Sequence, residues 1–213
     1  MNTVAQITDS TPRLKSLIHA PDLSIDVIAS YLDGLDHDGR VAELEDTTRA
    51  DQRALYEKAA GAPALTLEHF LPPGSGPLES VVHVGRNTLP VPRKHRFFSK
   101  TMTRPDDGSP RAFGFNDSPS KDWIGPGYFV LEATAGDPEW EARGAWVVNY
   151  LTFPDGPVPE DWPRVRPNTV GLQRFVYHGT LDFMRRVSAH VSIGAAYRGD
   201  TPLDHYFTLC REP

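Results

Sequence analysis

From Pro63 onward the chain holds all four of its Trp, all ten of its Phe, eighteen of its twenty Pro and fourteen of its seventeen Gly. Aromatic rings bury more apolar area than other side chains and mark where a core has to form. Pro and Gly cut a chain into short elements joined by turns. A segment rich in both predicts short aromatic strands, whereas residues 1–62 have the composition of helices. The expected architecture is α+β: a helical segment, 1–62, packed on an antiparallel β-barrel domain, or a strongly curved sheet, made by 63–213.

Within the first segment, Asp9-Ser10-Thr11-Pro12 offers a polar cap and a Pro in the first helical turn, ahead of Leu14, Leu17 and Ile18 on one face. Leu23, Val27, Ile28, Tyr31, Leu32 and Leu35 recur at helical spacing. A third helix is predicted over Thr48–Ala60, with Gly61 as its C-terminal stop.

Nine strands are predicted beyond it: Leu65–Phe70, Leu78–Gly85, Arg96–Thr103, Arg111–Phe115, Gly127–Ala133, Ala145–Phe153, Arg174–His178, Val191–Arg198 and His205–Arg211. Turn signals such as Pro105-Asp106-Asp107-Gly108 and Pro154-Asp155-Gly156-Pro157 separate them. In Ala145–Phe153 both alternating faces are largely apolar, so cover is expected on both sides. A barrel interior on one face, and the helices or a homodimer partner on the other, would supply it. Asp182–Ser188 reads as a helical turn crossing a barrel end, and Val191–Arg198 with His205–Arg211 as a terminal hairpin around the turn-rich Arg198-Gly199-Asp200-Thr201-Pro202. That ending is similar, in architecture alone, to the closing hairpin of lipocalin-like (calycin) or fatty-acid-binding-like barrels. The Gly-x-Trp signature that many lipocalins carry near their first strand is absent.

Charge and cysteine narrow the function. The net charge is −6, and residues 1–62 account for −5 of it, from six Lys/Arg against eleven Asp/Glu. With no broad basic face, nucleic acid is excluded as a partner, and Arg93-Lys94-His95-Arg96 reads as a solvated strand end. Cys210 is alone, so neither an internal disulfide nor a thiolate metal cage is available. No basic start followed by an apolar run begins the chain, and no run approaches the roughly 20 apolar residues of a membrane span. A cytoplasmic protein without membrane contact is expected.

Candidate sites are sparse. Gly34–Glu45 spaces its acids like a calcium loop, but Gly34 stands where the first carboxylate is needed, so a helix connector is the expectation. The eight His form no HxH or HExxH pair, and neither a metal nor a cofactor is called for. Arg86 and Asn87 follow an apolar strand and suit an anionic group. Trp123 and Tyr128 flank the rigid Gly125-Pro126-Gly127 turn, while Asn149 and Tyr150 share a strand. Tyr177, His178, Asp182 and Arg185 form the densest polar group in the β-rich part. Together these are the expected pocket residues of a non-enzymatic protein binding an amphipathic small molecule or short peptide. An acid–base enzyme with His178 or His83 as base and Arg86 holding an oxyanion is the alternative, and an accessory protein presenting a peptide by strand addition is the third reading.

Overall fold

The computed structural model describes residues 13–118 and 121–213, apart from the side chains at 122 and 123. Eight antiparallel strands close a barrel in sequence order. They are β1 (Val81–Asn87), β2 (Phe97–Thr103), β3 (Ala112–Asp117), β4 (Phe129–Ala133), β5 (Trp146–Asn149), β6 (Thr180–Arg186), β7 (Val191–Arg198) and β8 (Thr201–Arg211). The seam is β1 against β8, with Val84 opposite Ser99 on one side and Cys210 on the other. The helices are α1 (Leu14–His19), α2 (Ile25–Asp33), α3 (His37–Glu45), α4 (Arg49–Lys58), α5 (Leu67–Phe70), α6 (Lys121–Ile124), α7 (Pro138–Arg143) and α8 (Gln173–Val176). None of these is long and apolar enough to cross a membrane.

Alternation along the strands sorts side chains into a barrel interior and an outer wall. Met102, Ala112, Phe129, Leu131, Trp146, Val148, Tyr150, Met184, Phe207 and Leu209 form the inner cluster, joined at one end by Leu65, Leu67, Phe70 and Leu71. That end is stoppered. Phe70 packs edge-on to Trp146, whose indole nitrogen donates to the Leu65 carbonyl at 2.9 Å. His83, wholly buried, pairs its Nε2 with the Phe70 carbonyl at 2.9 Å, and burial pushes its pKa down to about 4.

Glycines on the strands let rings lie against the inner wall. A Cβ on Gly114 would fall 2.4 Å from the Phe129 ring, one on Gly194 2.3 Å from Phe207, and one on Gly85 2.7 Å from Phe98. Such distances are far inside van der Waals contact, so a side chain at any of these positions would displace the ring.

Outside, three different covers complete the barrel. The helices α1–α4 bury Leu14, Ile18, Ile28, Leu32 and Leu55 against Val191, Ile193, Ala195 and Cys210 of β7 and β8. The acids of this segment largely serve its own geometry. Glu43 accepts from the Arg13 and Leu14 amides at 3.0 and 2.7 Å and from the Tyr31 hydroxyl at 2.6 Å, which closes the start of α1. Thr48 and Asp51 form a capping box on α4. Trp140 of α7 packs on Phe183 beside Val147, and Trp162 from the Pro-rich connection after β5 packs on Phe115 and Tyr128.

Several expectations change. Leu65–Phe70 and Arg174–His178 contain the helical turns α5 and α8 instead of strands, and Asp182–Ser188 is mostly strand β6. The polar Asp182 on the inner face of β6 breaks its apolar alternation, which is why it read as a helical turn. The outer face of β5 is covered by α7 instead of the N-terminal helices. The calcium-like stretch is α3, with Asp36 as its N-cap accepting from the Gly39 amide at 2.8 Å. Among the described residues no His, Cys, Asp and Glu cluster could hold a metal. The Asp9–Pro12 cap lies outside the described residues.

Removing residues 1–62 uncovers the apolar outer faces of β7 and β8. A 63–213 fragment should therefore aggregate or associate during size-exclusion chromatography, where the full chain elutes as a defined species.

Candidate functional site

The end of the barrel opposite α5 is hollow. A cavity of about 630 Å³ opens there, lined by the upper ends of the strands, by Leu89-Pro90-Val91-Pro92 of the β1–β2 connection and by Phe175 and Val176 of α8. Its deepest polar group is Lys100, on the inner face of β2 between Phe98 and Met102 and only 1% exposed. The ammonium donates to Asn116 Oδ1 at 2.8 Å and to the Tyr150 hydroxyl at 2.5 Å, and the Asp182 carboxylate lies 3.9 Å away. Four rings surround it, with centroids 4.9 Å (Phe129), 4.9 Å (Phe207), 5.1 Å (Tyr150) and 5.6 Å (Phe98) from Nζ. Ring faces supply partial compensation for lost hydration of a cation. The same glycines that admit those rings therefore also set the depth of the charge.

Each partner is itself held. Asn116 donates from Nδ2 to the Gly127 carbonyl at 2.9 Å, which fixes its amide so that Oδ1 faces Lys100. Gly127 has φ +55°, and a Cβ there would meet the Tyr177 ring at 2.5 Å. Tyr177 in turn stacks on Tyr150, with centroids 5.2 Å apart and planes 24° from parallel. The Gly125–Gly127 turn thus orients both Asn116 and the Tyr150–Tyr177 stack. Burial lowers the Lys100 pKa to about 8 against the opposing pull of Asp182. Burial also raises Asp182 to about 6, although Lys100 and a hydrogen bond from Tyr150 oppose it. Tyr150 is driven well above its ordinary value, first by burial and then by Asp182.

Of the residues expected from the sequence, Asn87, Tyr150, Tyr177 and Asp182 line this cavity together. The others lie elsewhere. Arg86 donates to the Thr47 carbonyl at 3.1 Å and borders a separate space of about 80 Å³ under α3. Tyr128 is in the outer cluster with Trp162 and donates to the Pro163 carbonyl. Asn149 points to Glu132, at 2.7 Å. Arg185 braces three carbonyls, those of Tyr56, Ala142 and Arg143, and lies over the Tyr56 ring. His178 is exposed, and the Trp123 side chain lies outside the described residues.

Lys100 and Asn116 were not anticipated. A signal for Lys100 exists in the alternation Phe98-Ser99-Lys100-Thr101-Met102, where a lysine takes an apolar position two residues from each of two large apolar side chains. Asn116 has none, because its role depends on the turn at Gly127.

The pair should be visible in stability. Asp182 holds its proton more firmly folded (about 6) than unfolded, so it costs stability as pH rises from roughly 4 to 6. Lys100 gives its proton up more easily folded (about 8), so stability rises with pH from there to roughly 10.4. Between pH 6 and 8 neither adds a slope. In Lys100→Met the carboxyl loses its counter-ion and its pKa climbs, so stability should keep falling across that interval. The single variant should lose about 3–5 kcal/mol at pH 8 in urea unfolding, and Lys100→Met with Asp182→Leu should regain most of it. No protein-family model, curated protein or solved structure matches the chain.

Proposed function

We propose that this protein binds an amphipathic small molecule in the hollow half of its barrel, in the manner of lipocalin-like carriers. The observation that carries the reading is the cavity of about 630 Å³, which combines an apolar wall with a single polar floor. Pockets for small organic ligands typically measure about 300–1,000 Å³ and hold a few convergent polar groups among apolar ones. The apolar body of the ligand lies along Phe98, Phe207, Pro90 and Val91, and its polar end meets Lys100, Asn116, Tyr150 and Asp182. Arg198 at the rim favours a second, acidic group on the ligand.

A peptide bound by strand addition is less well supported, because the eight strands close and leave no sheet edge. An acid–base enzyme remains the second reading, favoured by the Lys100–Asp182 pair within the cavity. The groups first considered for that chemistry are poorly situated: His178 is exposed, His83 is at the stoppered end, and Arg86 lies outside the interior.

Anilinonaphthalene sulfonate, an amphipathic anion, is a suitable probe. Its fluorescence should rise on binding, with one site per chain. Ala196→Trp, which fills the cavity from β7, should weaken that binding by about tenfold or more, a change of about 1.4 kcal/mol. Unaltered binding in a folded Ala196→Trp variant would place the probe elsewhere and remove the support for this reading.

A further inference from the structure

We propose that Lys100 is a covalent site for a carbonyl compound: its ε-amine forms an imine with an apolar aldehyde or ketone lodged in the barrel. The inference rests on the binding reading above and specifies the ligand's polar end. Three observations point to a carbonyl. The amine is at the inner end of a cavity whose walls are mostly apolar, so the reacting end of a hydrophobic molecule is led to it. The floor places an amide oxygen, a phenol and a carboxylate around a single nitrogen, so that the phenol O–H can donate to a carbonyl oxygen and the carboxylate can carry a proton. Lastly, among the described residues no second cation shares the floor, so a ligand carboxylate there would compete with Asp182 for the Lys100 ammonium.

The chemistry balances without a co-reactant. The Nζ lone pair forms a bond to the carbonyl carbon while the C=O π pair moves onto oxygen. Oxygen takes up one proton released by nitrogen, carried by Asp182 and the Tyr150 hydroxyl between them. The second nitrogen proton then follows the same route, the C–O bond breaks, and oxygen departs as water. Both amine hydrogens end in that water, and the product is the Lys100 imine. A neutral amine is required at the start. Burial leaves about a tenth of Lys100 unprotonated at pH 7, with a pKa of about 8. Desolvated lysines in apolar pockets are activated as nucleophiles in this way. The proton shuttle needs Asp182 to change its charge in the same pH range, and its raised pKa of about 6 brings it there. Other titratable or cationic side chains bordering the cavity are His95, Arg198 and His205, all nearer its mouth.

Reductive trapping tests the assignment. The full-length protein is incubated with naphthaldehyde and cyanoborohydride near pH 7, and the modified residue is located by peptide mass spectrometry. One naphthylmethyl group per chain is expected on Lys100, in preference to Lys15, Lys58, Lys94 and Lys121, and an excess of the unreactive naphthylmethanol should suppress it. Lys100→Arg should lose the adduct. Should that variant fold poorly, the site mapped in the wild type decides the matter alone. Labelling spread over the other lysines, or absent from Lys100, overturns the inference. Displacement of anilinonaphthalene sulfonate by naphthylmethanol separates the two failures: displacement without a Lys100 adduct leaves the pocket reading standing, and absence of both removes the two together.

Discussion

A charged group can be kept inside a protein only if something replaces the water it has lost. In this barrel the replacement for Lys100 consists of one carboxylate, one amide, one phenol and four ring faces, and most interior features serve that arrangement. Gly85, Gly114 and Gly194 lack side chains so that Phe98, Phe129 and Phe207 can lie flat toward the ammonium. The φ +55° at Gly127 presents the carbonyl that orients Asn116. Tyr177 supports Tyr150 from behind. Together these place the polar floor halfway along the barrel. Below it the space is filled with side chains; above it lies the cavity.

That division answers what a barrel of this size does with its volume. Eight strands enclose an interior that side chains can just fill or that can hold one small ligand. Here side chains fill one half of the interior and leave the other half hollow. The α5 turn drives Phe70 and Leu71 into one end, and among the described residues no equivalent plug enters the other, where the β1–β2 connection and α8 form a rim around the opening. The exposed Phe175 of α8 is an apolar group at an entrance, a position in which its exposure has a use.

The barrel was legible in the sequence because its strands are short apolar, aromatic-rich runs bounded by Pro and Gly. Seven of the nine expected strands coincide with observed ones, and the terminal hairpin turns at Gly199-Asp200 as its residues indicate. What was hidden was polar. Asp182 disguised β6, since an inward carboxylate looks like the exposed face of a helix. Lys100 was passed over because lysine is ordinarily a surface residue, and its partners are brought together only by closure: Asn116, Tyr150 and Asp182 come from three other parts of the chain. Arg86 reads as a binding residue because a guanidinium suits an anionic group, and Arg185 because it belongs to the densest polar group of the β-rich part. Their acceptors turned out to be backbone carbonyls of neighbouring segments.

The order of the strands also sets a timetable. Each strand from β1 to β7 can pair with the next as soon as that one is made, but the second edge of β1 must wait for β8, the last strand in sequence. The helices wait as well, because the wall on which α1–α4 settle belongs to β7 and β8. Helices made before every strand thus settle only once the last strands are in place. Closure of β1 on β8 also completes the enclosure of Lys100, because one of its four rings, Phe207, belongs to β8.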